Sequence, residues 1–254
     1  MTFKPLDSLE GQVAIITGAM GGIGFATAER LAARGARVFG IVRRDLEQAQ
    51  QRLNTLPNAA LGHTAVLADV TDKAQLDAAL ATISGSVNQC NILVITHGRT
   101  RRIPHGDLKL LTDDFFDLMM KDNLRSYFSV VRTFEPMLRA TPESLVVNIG
   151  SLAGQNTGGG SNLAYVAAKA GIDALTRNLA KAMGPVRVMG VSPGILDTKF
   201  VPNQRPELYD FTVKETPLKR MPTVEDVAAA VEACATLLRF TNGHVIAVDG
   251  GRKL

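Results

Sequence analysis

A tyrosine and a lysine four residues apart, with a serine upstream, are the residues best suited to move a proton beside a carbonyl group. They are Tyr165, Lys169 and Ser151. Helix residues at i and i+4 lie on one face a single turn apart, so the ammonium can act on the phenol. The other tyrosines, Tyr127 and Tyr209, have no lysine four positions on. The spacing alone also fits an exposed Tyr/Lys pair without function.

A glycine-rich turn near the start of the chain indicates a second kind of chemistry. Residues 13–17 form a β-branched run typical of a buried strand, the turn Gly18-Ala19-Met20-Gly21-Gly22-Ile23-Gly24 follows, and residues 25–33 favour a helix. Glycine permits positive φ and close approach of a pyrophosphate, and a helix N-terminus favours an anion. This context predicts a dinucleotide site, whereas a glycine cluster alone would be a common turn.

Composition restricts the protein to a few classes. A chain of 254 residues, 46% hydrophobic and 20% charged, suits one enzyme-sized α/β domain spanning residues 1–254. No apolar run approaches the roughly 20 residues that cross a bilayer, and the N-terminus lacks an apolar signal core, so we expect a cytoplasmic protein without a membrane partner. A net charge of +4 without a dense basic run argues against nucleic acid.

The two cysteines, Cys90 and Cys234, lie far apart in the sequence without the spacing of metal ligands. We therefore interpret them as reduced thiols of the core, and we expect neither a disulfide nor a metal site.

Strand-like runs alternate with helical stretches along the whole chain. This alternation predicts an α/β fold with a doubly wound parallel sheet between two helical layers, that is, a three-layer αβα domain. After the first strand, runs are expected at residues 37–42, 64–68, 92–96, 145–149, 186–191 and 245–248. The proline-containing stretch 193–222 is interpreted as irregular, with a substrate lid at about 195–222.

Together these motifs make the chain resemble the short-chain dehydrogenase/reductase family over its full length. The resemblance rests on Thr17-Gly18 with Gly22-Ile23-Gly24, Asp69 after the third strand, Asn123, Ser151, the Tyr165/Lys169 pair, Pro193-Gly194 with Thr198, and Val248-Asp249-Gly250-Gly251. It implies a Rossmann-type fold of the simple one-domain branch, and an oxidoreductase that interconverts a carbonyl and an alcohol by hydride transfer from NAD(P).

The resemblance also implies roles for four catalytic residues. Tyr165 is the acid/base, Ser151 bonds the carbonyl oxygen, Lys169 lowers the tyrosine pKa and holds the nicotinamide ribose, and Asn123 anchors a relaying water. A cation about 4 Å from a phenol, at an effective dielectric near 20, can lower its pKa by about two units. A turn hydroxyl is the alternative for Ser151, and a residue satisfying helix backbone is the alternative for Asn123.

Cofactor choice is predicted from the end of the second strand. NAD-preferring relatives carry an acidic residue there, whereas this chain has Val42-Arg43-Arg44, so NADP(H) is expected and NAD(H) is less favoured. The alternative is that Arg43 and Arg44 are solvated surface residues without a role in cofactor binding. Asp69 is expected to accept a hydrogen bond from the adenine amino group, and the alternative is that it caps the N-terminus of a helix. The expected cofactor residues are Gly18, Met20, Gly22, Ile23, Gly24, Arg43, Arg44, Asp69, Val70, Gly98, Tyr165, Lys169, Pro193, Gly194, Ile195 and Thr198.

The chain departs from the family after the fourth strand, where the usual Asn-Asn-Ala-Gly is Ile95-Thr96-His97-Gly98. This places in doubt the hydrogen bonds that steady that strand, and His97 is expected either to touch adenosine or substrate or to be a packed histidine. The arginine that acyl-carrier-protein reductases of the family use for docking is also missing after Lys181. This weakens the alternative of a 3-oxoacyl-thioester reductase.

Substrate identity stays open at this stage. By family position the pocket includes residues 99–102, Gln155, Asn156, Leu196 and residues 200–211. The cationic segment 99–102 suits either a carboxylate or phosphate of the substrate, or a solvated face. A non-catalytic dinucleotide sensor on the same fold is a further alternative, although such a protein needs no proton-transfer set.

The resemblance also implies a homotetramer, or at least a homodimer. Family members pair two long helices, here expected at about residues 112–138 and 162–183, and often add a contact through the last strand. Apolar side chains suited to such burial are Phe115, Phe116, Leu118, Phe128, Leu175 and Leu179.

Overall fold

A computed structural model of the chain describes residues 7–155, 159–198, 200–201 and 206–254. Within them, seven strands alternate with eight α-helices. The strands are β1 (Val13–Thr17), β2 (Arg37–Val42), β3 (Thr64–Leu67), β4 (Ile92–Ile95), β5 (Leu145–Ile149), β6 (Arg187–Pro193) and β7 (Val245–Val248). The helices are α1 (Gly22–Ala33), α2 (Leu46–Leu53), α3 (Lys73–Ser84), α4 (Asp113–Met120), α5 (Ser126–Arg139), α6 (Leu163–Ala182), α7 (Pro206–Glu215) and α8 (Val224–Thr236).

The strands form one parallel sheet in the order β3-β2-β1-β4-β5-β6-β7. The predicted doubly wound α/β sheet is thereby confirmed. The strand order reverses between β1 and β4, and ligands of such sheets bind in the crevice beyond the carboxyl ends of the strands at this point. The predicted strand boundaries agree within two residues, and β6 is the strand that extends furthest beyond its prediction.

The central strands β1, β4 and β5 are buried on both faces, which is why their sequences are almost continuously apolar. Along β1, Ala14 and Ile16 face the layer of α1, α2 and α8, whereas Val13 and Ile15 face the layer of α3, α5 and α6. A fully buried isoleucine or valine stabilises the fold by roughly 1.5–3 kcal/mol. The two apolar layers fix the sheet from both sides and leave its carboxyl edge for chemistry.

A π-helical turn, Lys121–Arg125, connects α4 to α5 in one continuous helical rod. Two side chains bond carbonyls four residues back at this turn: Asn123 Nδ2 donates to the Met119 oxygen at 3.1 Å, and Ser126 Oγ donates to the Asp122 oxygen at 2.8 Å. These bonds compete with the regular backbone ladder. The turn aims Asn123 and the residues after it toward the sheet edge.

The two cysteines lie in separate layers of the core. Cys90 packs with the α3 and α5 side, and Cys234 packs with the α1 and α8 side. Both are free thiols, and burial raises the pKa of Cys90 to about 12 and that of Cys234 to about 11. The interpretation as core thiols is confirmed.

The stretch after β6 corrects one expectation from the sequence. Residues 193–222 were expected to be irregular, but α7 occupies Pro206–Glu215 within them. A short helix can form here because Pro206 stands at its first position, where a proline is tolerated. Residues 199 and 202–205 of the expected lid lie outside the described residues. None of the helices described is long and apolar enough to cross a membrane.

Candidate active site

The predicted catalytic residues converge at the carboxyl edge of the sheet. Ser151 follows β5, Tyr165 and Lys169 lie on the first two turns of α6, and Asn123 lies on the π-helical turn. Tyr165 is 8% exposed and Lys169 is 3% exposed. The Tyr/Lys pair is therefore buried, which removes the alternative of an exposed pair without function.

The first turn of α6 is held by Asn162. Its side-chain oxygen accepts a hydrogen bond from the Tyr165 backbone nitrogen at 2.8 Å, which caps the helix. Its amide nitrogen donates to Thr100 Oγ1 at 3.0 Å and to the Arg101 carbonyl at 2.8 Å. One buried asparagine thus fixes the start of α6 and the loop after β4 in the same place.

Ser151 approaches Tyr165 because a glycine lets two backbone segments touch. A Cβ at Gly154 would lie 2.5 Å from the Ala170 nitrogen and 2.6 Å from the Lys169 carbonyl carbon. Without that atom, the 3₁₀ turn Leu152–Gly154 lies directly against α6. The Ser151 hydroxyl then lies close enough to the Tyr165 phenol to lower its pKa, and it accepts a hydrogen bond from the Ala153 nitrogen at 3.2 Å.

The pKa of Tyr165 is shifted in the direction opposite to the one expected from its lysine. Burial raises the pKa of Tyr165 to about 12, and the hydrogen bond from Ser151 offsets this only in part. The Lys169 nitrogen lies 5.8 Å from the centroid of the Tyr165 ring, and its hydrogen bonds are made to other groups. The expected lowering by two units is wrong for this structure, and the phenol is protonated at neutral pH.

Lys169 is held by groups of the sheet and of α5. Its Nζ donates to the Ile149 carbonyl at 2.9 Å and to Tyr127 Oη at 3.2 Å. Burial lowers the pKa of Lys169 to about 7, although the charge of Asp173 acts in the opposite direction. Near neutral pH, both protonation states of the lysine are therefore populated.

Asn123 is fully buried, and its side-chain amide is used within the chain. Asn123 Nδ2 donates to the Arg99 and Met119 carbonyls at 3.0 Å and 3.1 Å, and Oδ1 accepts from the Arg99 nitrogen at 3.2 Å. These contacts match the alternative interpretation, that of a residue satisfying backbone. The expected water relay to Lys169 stays a prediction.

The glycine-rich turn fits a dinucleotide phosphate. Gly18 has φ of +68°, and a Cβ on Gly24 would lie 2.3 Å from the Gly18 oxygen. Both positions therefore need glycine. Helix α1 begins at Gly22 without a capping side chain and without an acidic residue in its first turn. The first N–H groups of α1 are left to an anion.

Arg43 and Arg44 lie exposed beyond the carboxyl end of β2, beside the glycine-rich turn. Asp69, at the end of β3, is partly buried. Burial opposes its ionisation, but hydrogen bonds from Thr71 and the charge of Arg43 outweigh that effect and lower the pKa of Asp69. Asp69 Oδ1 accepts from the Thr71 nitrogen at 2.9 Å. The carboxylate thus shapes this turn, while Asp72 is the residue that caps α3.

The segment after β6 closes the crevice on the other side. Gly194 N donates to the Val248 carbonyl at 2.9 Å, which ties the segment to β7. A Cβ on Gly22 would lie 3.8 Å from Thr198 Cγ2, so this threonine stands over the glycine-rich turn. The remaining residues predicted to bind the cofactor also lie at this edge of the sheet. Two of them are buried, Val70 and Pro193, and four are partly buried, Met20, Ile23, Gly98 and Ile195.

The cationic loop 99–102 makes contacts within the chain. Arg99 forms an ion pair with Asp122, and the Arg101 guanidinium lies 4.2 Å from the Phe115 ring centroid. Arg102 is exposed. The Phe200 ring lies 6.0 Å from the Tyr165 ring, between centroids, and Gln155 Nε2 donates to Asp173 at 2.8 Å. Asn156, a further pocket residue expected from the sequence, lies outside the described residues.

His97 replaces the missing asparagines in steadying β4. Ser126 donates its proton to the Asp122 carbonyl, so its oxygen accepts from His97 Nε2 at 2.8 Å. His97 Nδ1 is then the acceptor for the Thr17 hydroxyl, also at 2.8 Å. Thr96 Oγ1 adds a bond of 2.7 Å to the Thr17 carbonyl. His97 is a packed, neutral histidine, which agrees with one of its two expected roles.

Two residues that act on Lys169 were not predicted from the sequence, Tyr127 by a hydrogen bond and Asp173 by its charge. Tyr127 is fully buried with its hydroxyl against Lys169, and Asp173 lies one turn beyond Lys169. The signal was present in the spacing, because Tyr127 is four residues after Asn123 and Asp173 is four after Lys169. Both therefore lie on a helix face that had already been assigned to the site.

Comparison with known proteins gives matches along the whole length. A sequence model of the family described as Enoyl-(Acyl carrier protein) reductase matches residues 18–253. A putative ketoacyl reductase 2 of the granaticin polyketide synthase of Streptomyces violaceoruber is 34% identical over 251 residues, 98% of each chain. The 3-oxoacyl-[acyl-carrier-protein] reductase FabG of Vibrio cholerae serotype O1 is 30% identical over 247 residues, 96% of this chain and 98% of that protein.

A solved structure shows the same architecture. The chain resembles the Pseudomonas aeruginosa RhlG/NADP active-site complex with a TM-score of 0.85 and 28% identity, covering 99% of this chain and 100% of the other. Sequence and structure comparisons therefore agree over the full domain.

The neutral state of His97 predicts an acid-sensitive contribution to stability. Burial, and then the charge of Lys169, lower its pKa from the ordinary 6.5 to about 3. The unfolded chain then binds the proton more readily, so stability falls as pH drops below about 6.5 and continues to fall toward 3. His97 is partly exposed at the crevice. We therefore expect a loss of about 1–2 kcal/mol between pH 7 and 5 from this residue.

Urea unfolding of the parent, His97→Gln and His244→Gln proteins at both pH values measures this effect. His97→Gln should be less stable at pH 7 but should lose less stability on acidification than the parent. His244 is exposed, so its variant should follow the parent. Equal pH dependence of the parent and His97→Gln proteins would show that His97 is not held neutral.

Proposed function

Since the chain belongs to the short-chain dehydrogenase/reductase family, we propose that it is an NADP(H)-dependent oxidoreductase interconverting a carbonyl and an alcohol, with Tyr165 as acid/base. The observation that carries this proposal is the burial of the Tyr165/Lys169 pair, with Ser151 close enough to lower the pKa of the Tyr165 phenol and the glycine-rich turn at the same edge of the sheet. A non-catalytic dinucleotide sensor has no use for such a proton-transfer set.

In the proposed reduction of a carbonyl group, Tyr165, Ser151 and Lys169 have different roles. The bound cofactor supplies the hydride. Tyr165, protonated at neutral pH, donates its proton to the carbonyl oxygen as negative charge develops there. Ser151 donates a hydrogen bond to the same oxygen. Lys169 places a positive charge behind the phenol, and it holds the ribose hydroxyls of the nicotinamide.

Assignment of the cofactor rests on charge at the end of β2. Val42 stands where a carboxylate would bind the ribose 2′-hydroxyl, and exposed Arg43 and Arg44 are suited to grip a 2′-phosphate. The similar RhlG structure is an NADP complex. We propose that the residues named above from Gly18 to Thr198 form the binding site, with Asn123 as fourth catalytic residue.

Reduction of a 3-oxoacyl thioester is the second candidate function. Two relatives favour this function. One is a putative ketoacyl reductase that is 34% identical to this chain, and the other is a 3-oxoacyl-[acyl-carrier-protein] reductase that is 30% identical to it. The substrate would enter between Phe200 and loop 99–102, beneath a lid at about 195–222.

We place this single-domain enzyme in the cytoplasm, where free thiols such as Cys90 and Cys234 persist.

Assembly into a homodimer or homotetramer is also part of the proposal. A groove of about 380 Å³ between α5 and α6 has an almost entirely apolar lining, made by Leu124, Arg125, Phe128, Gly171, Ala174, Leu175 and Asn178. Phe128 is 42% exposed on this face. Contact between two copies at this face would remove Phe128 and the apolar lining of the groove from water.

For the acid/base role, we expect Tyr165→Phe to reduce turnover by about a hundredfold or more while NADPH binding survives. The ring and its packing remain, and only the proton is lost. Lys169→Ala should reduce turnover and cofactor affinity together, while Lys181→Ala on the exposed end of α6 should change neither. Steady-state kinetics on a panel of ketones, aldehydes and 3-oxoacyl thioesters provides the measurement. Substantial activity in Tyr165→Phe would refute the assignment.

For the cofactor, NADPH should bind at least about tenfold more tightly than NADH, and Arg43→Ala should shrink this ratio. The guanidinium can pair with the 2′-phosphate, which NADH lacks. Fluorescence titration of both nucleotides measures the ratio, and Lys73→Ala removes an exposed charge elsewhere as control. Equal affinities in the parent protein would contradict the prediction.

For assembly, light scattering at micromolar concentration should give the mass of a dimer or tetramer. Leu175→Glu places a charge in the apolar groove and should shift the mass toward the monomer. Leu61→Glu, at a site 39% exposed on another face, is the matched control. A monomeric parent protein would rule out this assembly.

A further inference from the structure

Tyr127 is a second buried tyrosine beside the catalytic lysine. It is fully buried, and its hydroxyl lies 3.2 Å from Lys169 Nζ. The same ammonium lies 5.0 Å from the centroid of the Tyr127 ring. A lysine has three N–H donors, and two of those of Lys169 are used by Tyr127 and the Ile149 carbonyl.

The orientation of the Tyr127 hydroxyl is fixed by carbonyl groups. Its oxygen lies 2.9 Å from the His97 carbonyl oxygen and 3.0 Å from that of Ile149, and the proton can be donated to either. With the proton directed to a carbonyl, a lone pair faces the ammonium. The ring packs against His97 with centroids 4.8 Å apart, so the hydroxyl has little freedom to move away.

We propose that Tyr127 is a positioning residue of the acid/base site: its hydroxyl holds the Lys169 ammonium in place and favours its charged form. The inference rests on the proposed function, in which Lys169 acts behind Tyr165. Tyr127 lies on α5, one turn after Asn123, whereas Tyr165 and Lys169 both lie on α6. The hydroxyl that holds the lysine is therefore provided by a different helix.

The charge state of Lys169 is sensitive to this contact. The titratable groups that face it within the described residues are Tyr165 and Asp173 on α6, Tyr127 on α5 and His97 after β4. Tyr165 and His97 are neutral near pH 7. Asp173 favours the ammonium, but burial raises the pKa of Asp173 as well. Burial leaves the pKa of Lys169 at about 7, so loss of one acceptor should shift the balance toward the neutral amine.

The test is a titration of Lys169 in Tyr127→Phe, which keeps the ring and deletes the hydroxyl. Protein labelled with ¹³C at lysine Cε is followed by NMR across the pH range, and Lys169→Met assigns the resonance. We expect the pKa of Lys169 to fall by about one unit or more. Ser144→Ala, which deletes a buried hydroxyl that donates to the Leu138 carbonyl, should leave it unchanged.

Kinetics supply a second readout. Reduction needs charged Lys169, so activity declines as pH rises through its pKa, and Tyr127→Phe should move this decline to lower pH by the same amount. A lysine pKa within about 0.3 units of the parent value would overturn the proposal, even if melting temperature fell, since a structural role alone predicts that result. A parent protein inactive on every carbonyl would instead refute the proposed function, and the lysine titration would still decide the role of Tyr127.

Discussion

A buried ammonium is the constraint on which the rest of the site depends. Lys169 lies under the carboxyl edge of the sheet with 3% of its surface exposed, where a charge is costly unless it is hydrogen-bonded. The Ile149 carbonyl and the Tyr127 hydroxyl provide those bonds from β5 and α5. The lysine therefore links three elements, and its position behind Tyr165 follows from how those elements pack.

The surrounding architecture brings backbone segments unusually close. Gly24 permits the first turn of α1 to touch Gly18, and Gly154 permits the turn after β5 to lie against α6. Hydroxyl and imidazole groups then cross-link the ends of the strands, as in the bonds from Thr17 through His97 to Ser126. Rigid strand ends hold a proton donor and a phosphate site at fixed separation, which a hydride transfer requires.

Sequence patterns were sufficient to predict the parallel sheet and to predict that Tyr165, Lys169 and Ser151 lie close together. Strand burial and helix spacing are local properties that can be recognised in the sequence. They were insufficient where the outcome depends on three-dimensional packing. The pKa of Tyr165 rises because the effect of burial exceeds the opposing effect of Ser151. The contact of Tyr127 with Lys169 joins residues 42 positions apart, and α7 formed in a stretch whose prolines suggested a loop.

The protonation state of Tyr165 tests the central claim most directly, since the claim is that burial keeps this phenol ready to donate. Tyrosine labelled with ¹³C at Cζ can be titrated by NMR, with Tyr165→Phe to assign the resonance. We expect the Tyr165 phenol to remain protonated beyond about pH 9 in the protein without cofactor. Ionisation of Tyr165 between about pH 6 and 8 would contradict it, because the lysine would then outweigh burial.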